Sequence, residues 1–235
     1  MIKYLSKNIV EKKNISFFNN NDNYKKNIEE IDTYKILKKK ITEELVSTKY
    51  LLDVGHGGSF DYDTSKVPNI VGLDLEEMIH KEKLPKNIKL VIGSALDIPK
   101  DLVNFDTTIL IMLLHHLVGE NVEENLSNLD NCISQIYKTI KKNGKIVIVE
   151  SCVPKWFFLI EKILYKPSKY FIDKFIEHPP AFQFTRNIIL RSLKENNFKN
   201  LEIKKVKQGK FILQFGFKFP SFLTPVETII FTATK

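Results

Sequence analysis

Cysteine is scarce in this chain: two among 235 residues, Cys132 and Cys152. That excludes a disulfide-stapled scaffold and fits a reducing compartment. Arginine is as scarce. Of 36 basic residues only Arg186 and Arg191 are arginine, which leaves few donors for bidentate recognition of bases and phosphates. Long apolar runs are missing too. The longest uncharged apolar stretch, Thr107 to Gly119, contains two histidines and is too short to span a bilayer. The start, Met1-Ile2-Lys3-Tyr4-Leu5-Ser6-Lys7, meets charge too early for a signal peptide, so a soluble cytoplasmic protein is expected. Neither an internal repeat nor a linker is visible.

What remains is the composition of a core-forming protein, 43% hydrophobic and 27% charged. The length suits one sizeable domain with an appendage. The formal net charge is +8, divided unevenly: +4 over residues 1–49, −5 over 50–150 and +9 over 151–235. Lysine supplies nearly all of the surplus, and a chain rich in Lys, Asn and Ile is what AT-rich coding produces. Nucleic acid is therefore disfavoured as a partner.

Residues 1–22 read as a polar arm. From about Tyr24 to Val46 the spacing of Ile28, Ile31, Tyr34, Ile36, Leu37, Ile41 and Leu45 predicts an amphipathic helix. Short apolar runs then predict strands at Tyr50–Val54, Ile70–Leu73, Lys89–Ile92, Thr107–Leu113 and Lys145–Val149. A helix is predicted from about Val122 to Lys142, stopped by Asn143-Gly144. Apolar strands separated by crossover segments imply an α/β protein with a mainly parallel sheet. After Glu150 an aromatic stretch, 154–176, carries five lysines and ends near His178-Pro179-Pro180. Thr185 reads as the N-cap of a helix to about Asn197. Strands near Leu201–Val206, Lys210–Phe215 and Val226–Thr234 have no helix-length segment between them, so the ending is antiparallel. The expected fold is a Rossmann-like sheet of about seven strands with helices on both faces and a helical lid inserted after the fifth strand. One domain is expected, divided into an N-terminal arm and helix (1–48), a cofactor-binding core (49–150), lid and substrate-side helices (151–200) and closing strands (201–235).

The first strand runs into Asp53-Val54-Gly55-His56-Gly57-Gly58-Ser59, a glycine turn that lets backbone approach a ligand at the carboxyl end of the sheet. The dinucleotide pattern G-x-G-x-x-G fails, because Phe60 holds its third glycine position. A D-x-G-x-G turn is present instead. A second acid, Asp74, ends the next strand 21 residues later, where it can accept both hydroxyls of a ribose. Three further features follow in order: Gly93-Ser94-Ala95-Leu96-Asp97-Ile98-Pro99, Leu113-Leu114-His115-His116-Leu117, and the helix-turn-strand run Ile140 to Glu150. Together, residues 50–150 resemble a class I S-adenosylmethionine-dependent methyltransferase.

The resemblance implies S-adenosylmethionine as cofactor. Gly55 and Gly57 would lie against its methionine part, with Asp53 organising the turn or the amino group. Asp74 would hold the ribose with Leu73 or Leu75 beside the adenine, Ser94 and Ala95 would border the adenine edge, and Leu113 to His115 would lie behind the methyl donor. Ser59 replaces the family's third glycine, Gly58–Asp63 does not read as an ordinary first helix, and Ser94 replaces the acid that often meets the adenine amine, with Asp97 as a substitute.

Methyl transfer needs alignment, sometimes proton removal, and no metal. Catalytic candidates are His115 and His116 after the fourth strand, Glu150 at the end of the fifth, and His178 from the lid. The bland alternatives are packing, loop capping and a solvated strand end. No metal site is expected: His115 and His116 are adjacent and no third ligand stands out. His56 is expected to be exposed and Cys152 to be an ordinary buried thiol. The expected reaction is O-methylation of a polar or anionic small molecule or sugar. Two alternatives stay open: methylation of a quinone or lipid, with 154–176 as an interfacial helix contacting a membrane, and a noncatalytic binding module. Nothing in the sequence sets the oligomeric state.

Overall fold

Five apolar runs become parallel strands because both of their faces are covered. In a computed structural model, which describes residues 32–76, 84–175, 181–206 and 226–235 together with 15, 211–212 and 218–219, these are β1 (Tyr50–Val54), β2 (Asn69–Asp74), β3 (Ile88–Ile92), β4 (Phe105–Ile111) and β5 (Ile140–Cys152). After them come β6 (Lys199–Lys205), a two-stranded ribbon of β7 (Phe211–Ile212) and β8 (Lys218–Phe219), and β9 (Glu227–Thr234). The main sheet has seven strands in the order β3-β2-β1-β4-β5-β9-β6. β1 to β5 pair in parallel, and β9 runs antiparallel between β5 and β6. The chain reverses direction across the sheet between β1 and β4, which opens a crevice at the carboxyl ends.

The helices are α1 (Asp32–Glu44), α2 (Val122–Thr139), α3 (Lys155–Phe175) and α4 (Arg186–Glu195). Strand periodicity sorts the core into two layers. Leu52, Val54, Ile146 and Ile148 face the layer built with α2 and α4, whereas Leu51, Ile109, Val147 and Val149 face Leu37 and Ile41 of α1 and Leu45 just after it. The crossover from β1 to β2 contains no α-helix among its residues 55–68, only a three-residue 3₁₀ turn at Thr64–Lys66. Tyr62 and Val67 fill that space beside α1. Lys145 Nζ donates to the carbonyl of Glu44, satisfying one of the orphan acceptors at the end of α1.

Three expectations move. β4 ends at Ile111, two residues before Leu113. α2 ends at Thr139, and Asn143-Gly144 does not stop it. The reason is that Ile140, 1% exposed, is already drawn into the sheet opposite Phe105, and Lys145 opposite Thr107 is the next pair. The intervening residues bulge, with Asn143 in the left-handed region at φ 61°. β5 runs two residues past Glu150, so that residue does not end its strand. α2 begins as its sequence dictates, the Asn121 side chain accepting from the Glu124 N–H at 2.9 Å. Thr185 caps α4 in the same way. The arm at 1–22 (apart from Ile15), the start of the first helix before Asp32, and most of the expected strand at Lys210–Phe215 lie outside the described residues.

Because Ile41 is fully buried between α1 and the sheet, Ile41→Ala is expected to cost about 2–5 kcal/mol. Equilibrium denaturant unfolding measures it, and a loss well below 1 kcal/mol would show that α1 is not anchored there.

Candidate active site

The glycine turn after β1 is held by backbone geometry that glycine supplies. Gly55, Gly57 and Gly58 have φ of 74°, 56° and 84°. The Gly57 N–H donates to Asp74 Oδ2 at 2.8 Å and the Leu75 N–H to Asp74 Oδ1 at 2.7 Å. Asp74 therefore fixes the turn and keeps a lone pair on each oxygen for a further donor. A Cβ at Gly55 would lie 2.6 Å from Leu113 Cδ1, so Leu113 closes directly over the turn. It does so because Met112, ahead of it, takes φ 51°, a conformation costly for a side chain of this size.

Asp53 lies beneath the turn, 1% exposed. The Tyr62 hydroxyl donates to its Oδ2 at 2.8 Å, while Oδ1 is buried with no hydrogen-bond partner. Burial pushes the carboxyl up to about 8, against the Tyr62 hydrogen bond, with Asp61 and Asp74 adding to the rise. His56 is buried rather than exposed. Its ring lies against β2, so close that a Cβ at Gly72 would fall 2.9 Å from His56 Cδ2. It stacks on Phe60, and Nδ1 accepts the Gly58 N–H at 3.0 Å. Beyond β3, the Leu96 N–H donates to Ser94 Oγ at 3.2 Å. Ala95 is buried below that turn and Asp97 stands exposed on its outside.

The second group of residues gathers around Glu150. This carboxylate is fully buried, yet none of its charge is stranded. Its Oε2 accepts the Leu114 N–H at 2.8 Å and Oε1 accepts the Ser151 N–H at 2.7 Å, with the Ser151 hydroxyl oxygen 3.2 Å from Oε1. His115 Nδ1 lies 2.6 Å from the same Oε1. A carboxylate already taking two backbone donors is an acceptor toward the ring, which assigns the proton to Nδ1 and leaves Nε2 as the accepting nitrogen. The His115 side chain keeps 12% of its surface accessible, enough for a small molecule to reach an edge. His116 is buried with its ring 4.2 Å from that of His115.

A strap at 181–184 and the helix α3 complete this side. The Phe182 N–H donates to the His115 carbonyl at 2.9 Å, and the Val153 N–H to the Phe184 carbonyl at 3.1 Å. Phe182 meets Phe158, Tyr165 and Phe184 edge-on, at 5.5, 5.3 and 5.5 Å. From α3, Glu161 Oε1 accepts the Gln183 N–H at 3.1 Å, and the Ser151 hydroxyl donates to Gln183 Oε1 at 2.9 Å. The chain Glu161–Gln183–Ser151–Glu150–His115 thus joins helix, strap, strand and loop. Burial pushes Glu161 up to about 7, opposed by the Gln183 N–H and by His115, and its Oε2 is buried with no hydrogen-bond partner.

Of the residues singled out from the sequence, Asp53, Gly55, Gly57, Asp74, Leu75 and Leu113 converge on the turn, and His115 and Glu150 form one unit. Asp97 is exposed. His178 lies outside the described residues. Glu150 is neither a strand end nor solvated. Cys152 is a buried thiol, which burial and the nearby carboxylates Glu150 and Glu227 push up. Lys155, Lys162 and Lys166 are exposed and do not enter the site. Tyr62, Glu161 and Gln183 were not anticipated. Glu161 was detectable: it falls in helical phase with Phe158 and Tyr165.

An orphaned buried carboxylate oxygen, two glycines in left-handed geometry and an acid with spare lone pairs fit a ligand bearing an ammonium group and a ribose. The sheet order and this turn define a Rossmann-like methyltransferase fold of class I. Residues 52–148 match the family model described as "Methyltransferase domain". That match covers 97 of the 235 residues, and over them the chain is similar to a methyltransferase domain. A demethylmenaquinone methyltransferase of Lactobacillus johnsonii is 24% identical over 169 residues, 64% of this chain and 66% of that relative, just under two thirds of its length. Among solved structures, the N-methyltransferase NodS of Bradyrhizobium japonicum, in complex with S-adenosyl-L-homocysteine, is similar at TM-score 0.63 and 9% identity, over 97% of this chain and 99% of that one. The geranyl diphosphate C-methyltransferase of Streptomyces coelicolor is similar at TM-score 0.58 and 12% identity, over 97% and 98%. At such identities these likenesses speak for the fold alone.

The raised carboxyls make ligand-free stability pH-dependent. Asp53 titrates near 3.8 when unfolded and near 8 when folded, so the folded state holds more protons between those values. Unfolding free energy accordingly falls as pH rises through that window. Wild type is expected to lose more stability than Asp53→Asn between about pH 5 and about pH 8 in urea unfolding. Equal losses would show that Asp53 is ionised throughout.

Proposed function

We propose that this enzyme methylates a small, largely apolar acceptor carrying an ionisable hydroxyl, with His115 as the base that takes the hydroxyl proton. The observation that carries this is the 2.6 Å contact between His115 Nδ1 and the buried Glu150. S-adenosylmethionine, when bound, supplies an electrophilic methyl group on a sulfonium. Asp74 binds the ribose, the unpartnered oxygen of Asp53 answers the amino group, Gly55 and Gly57 admit the methionine part, and Leu75, Ser94 and Ala95 border the adenine. Glu150 fixes the His115 tautomer and stabilises the ring once it is charged. Leu113 limits the acceptor's approach from the turn side, and the Phe158–Phe182–Phe184 cluster supplies apolar wall. In this division residues 49–150 hold the cofactor, 151–200 shape the acceptor side, 201–235 close the sheet, and 1–48 contribute the arm and α1.

A neutral acceptor is favoured over an anionic one. The carboxyl groups that interact with His115 are Glu150, in contact, and Glu161, through its charge, while the described lysines of α3 are exposed. Methylation at the deprotonated oxygen is the simplest product. A second product, methylation at a ring carbon conjugated with that oxygen, is favoured by the match to a demethylmenaquinone methyltransferase, since the same proton removal activates that carbon.

The test has two stages. Calorimetric titration of S-adenosylmethionine should show binding to wild type and its loss in Asp74→Ala. A panel of phenols and quinols, assayed with methyl-labelled cofactor, should then yield product, with His115→Ala lowering kcat about 10²–10⁴-fold and leaving cofactor affinity unchanged. Turnover restricted to acceptors without a hydroxyl, or a His115→Ala enzyme as fast as wild type, would sink the assignment.

A further inference from the structure

α3 has two faces of opposite use. Phe158, Glu161 and Tyr165 point inward, to the strap and to the Gly119 carbonyl, which accepts from the Tyr165 hydroxyl at 2.8 Å. On the opposite side Trp156, Leu159, Ile160, Ile163 and Leu164 are 58%, 47%, 48%, 77% and 49% exposed. Their steps of three and four residues place all five in one stripe, at about 100° per residue. Lys155, Lys162 and Lys166, also exposed, recur at steps of seven and four residues and line one edge of that stripe. The one acid in residues 154–167, Glu161, is on the inner face. Scattered exposed apolar residues need no explanation, but a contiguous stripe does. No helix among the described residues is long and apolar enough to cross a membrane.

We infer that the outer face of α3 docks the protein on an anionic lipid surface, the apolar stripe entering the headgroup boundary and the lysine edge pairing with lipid phosphates. The charge decides the occupant. A second copy of this chain would bring its own lysine edge and net charge of +8 against the first, whereas an anionic bilayer neutralises both. Lysines beside an apolar stripe can keep their stems on it while the ammonium groups reach the phosphates. Docking here is independent of which acceptor the site takes.

Trp156 is the chain's single tryptophan, so its emission reports this face directly. The full chain is mixed with vesicles of equal phosphatidylglycerol and phosphatidylcholine, or of phosphatidylcholine alone, at low salt and in high salt. The expected result is flotation with the anionic vesicles, an emission shift to the blue, quenching by brominated acyl chains, and release by salt. Ile163→Asp, at an exposed position, should retain its circular dichroism and bind at least tenfold less. The triple variant Lys155→Glu, Lys162→Glu, Lys166→Glu should lose the preference for anionic lipid. Absence of flotation at low salt overturns the inference, as does wild-type binding by Ile163→Asp. Emission already blue-shifted without lipid also overturns it, because the face is then covered by a second copy or by the chain itself.

Discussion

Glu150 is a carboxylate with no access to water, and the loop after β4, the strap and the end of β5 are arranged around that fact. A buried charge is tolerated only when its lone pairs are filled. Here the donors come from the loop after β4, from the strand that carries the carboxylate, and from the ring of His115. Meeting that demand fixes where Leu114 and His115 stand, and the strap then follows because Phe182 hydrogen-bonds the His115 carbonyl. Loss of the carboxylate would release the Leu114 N–H, the Ser151 N–H and the His115 ring at once.

The cofactor half answers a different constraint. Asp53 and Asp74 both serve the glycine turn, but one is buried with an unfilled oxygen and the other is tied by two backbone donors. Carboxylates gather at the carboxyl ends of the strands, and the described lysines of α3 stay on the surface.

Much of this was legible beforehand. The alternation of apolar runs with crossover segments gave the parallel strands, and the spacing of Asp53, the glycines and Asp74 gave the turn, because backbone geometry and period-two burial are local properties. What escaped was set by tertiary contact. Nothing around Asn143-Gly144 tells that Ile140 prefers a place opposite Phe105 to one more helical turn. His56 is polar and follows a glycine, yet its ring is buried because Gly72 leaves room for it on the neighbouring strand. Glu150 was recognisable as a residue at the right end of the right strand, and its burial was not, since that depends on donors 35 and 36 residues away.

Those separations carry a further consequence, for the order of assembly. Tyr62 and Asp53 are nine residues apart, and Gly57 and Asp74 seventeen. The contacts that gather around Glu150 span 22, 32, 35 and 36 residues and involve α3, the strap and β5. Short loops close at lower entropic cost, and synthesis delivers the amino-terminal part first. The glycine turn can therefore gather its own bonds early, while His115 and Glu150 meet only after β5 has joined the sheet. Partial unfolding from the carboxyl-terminal side would part His115 from Glu150 before it disturbed the glycine turn.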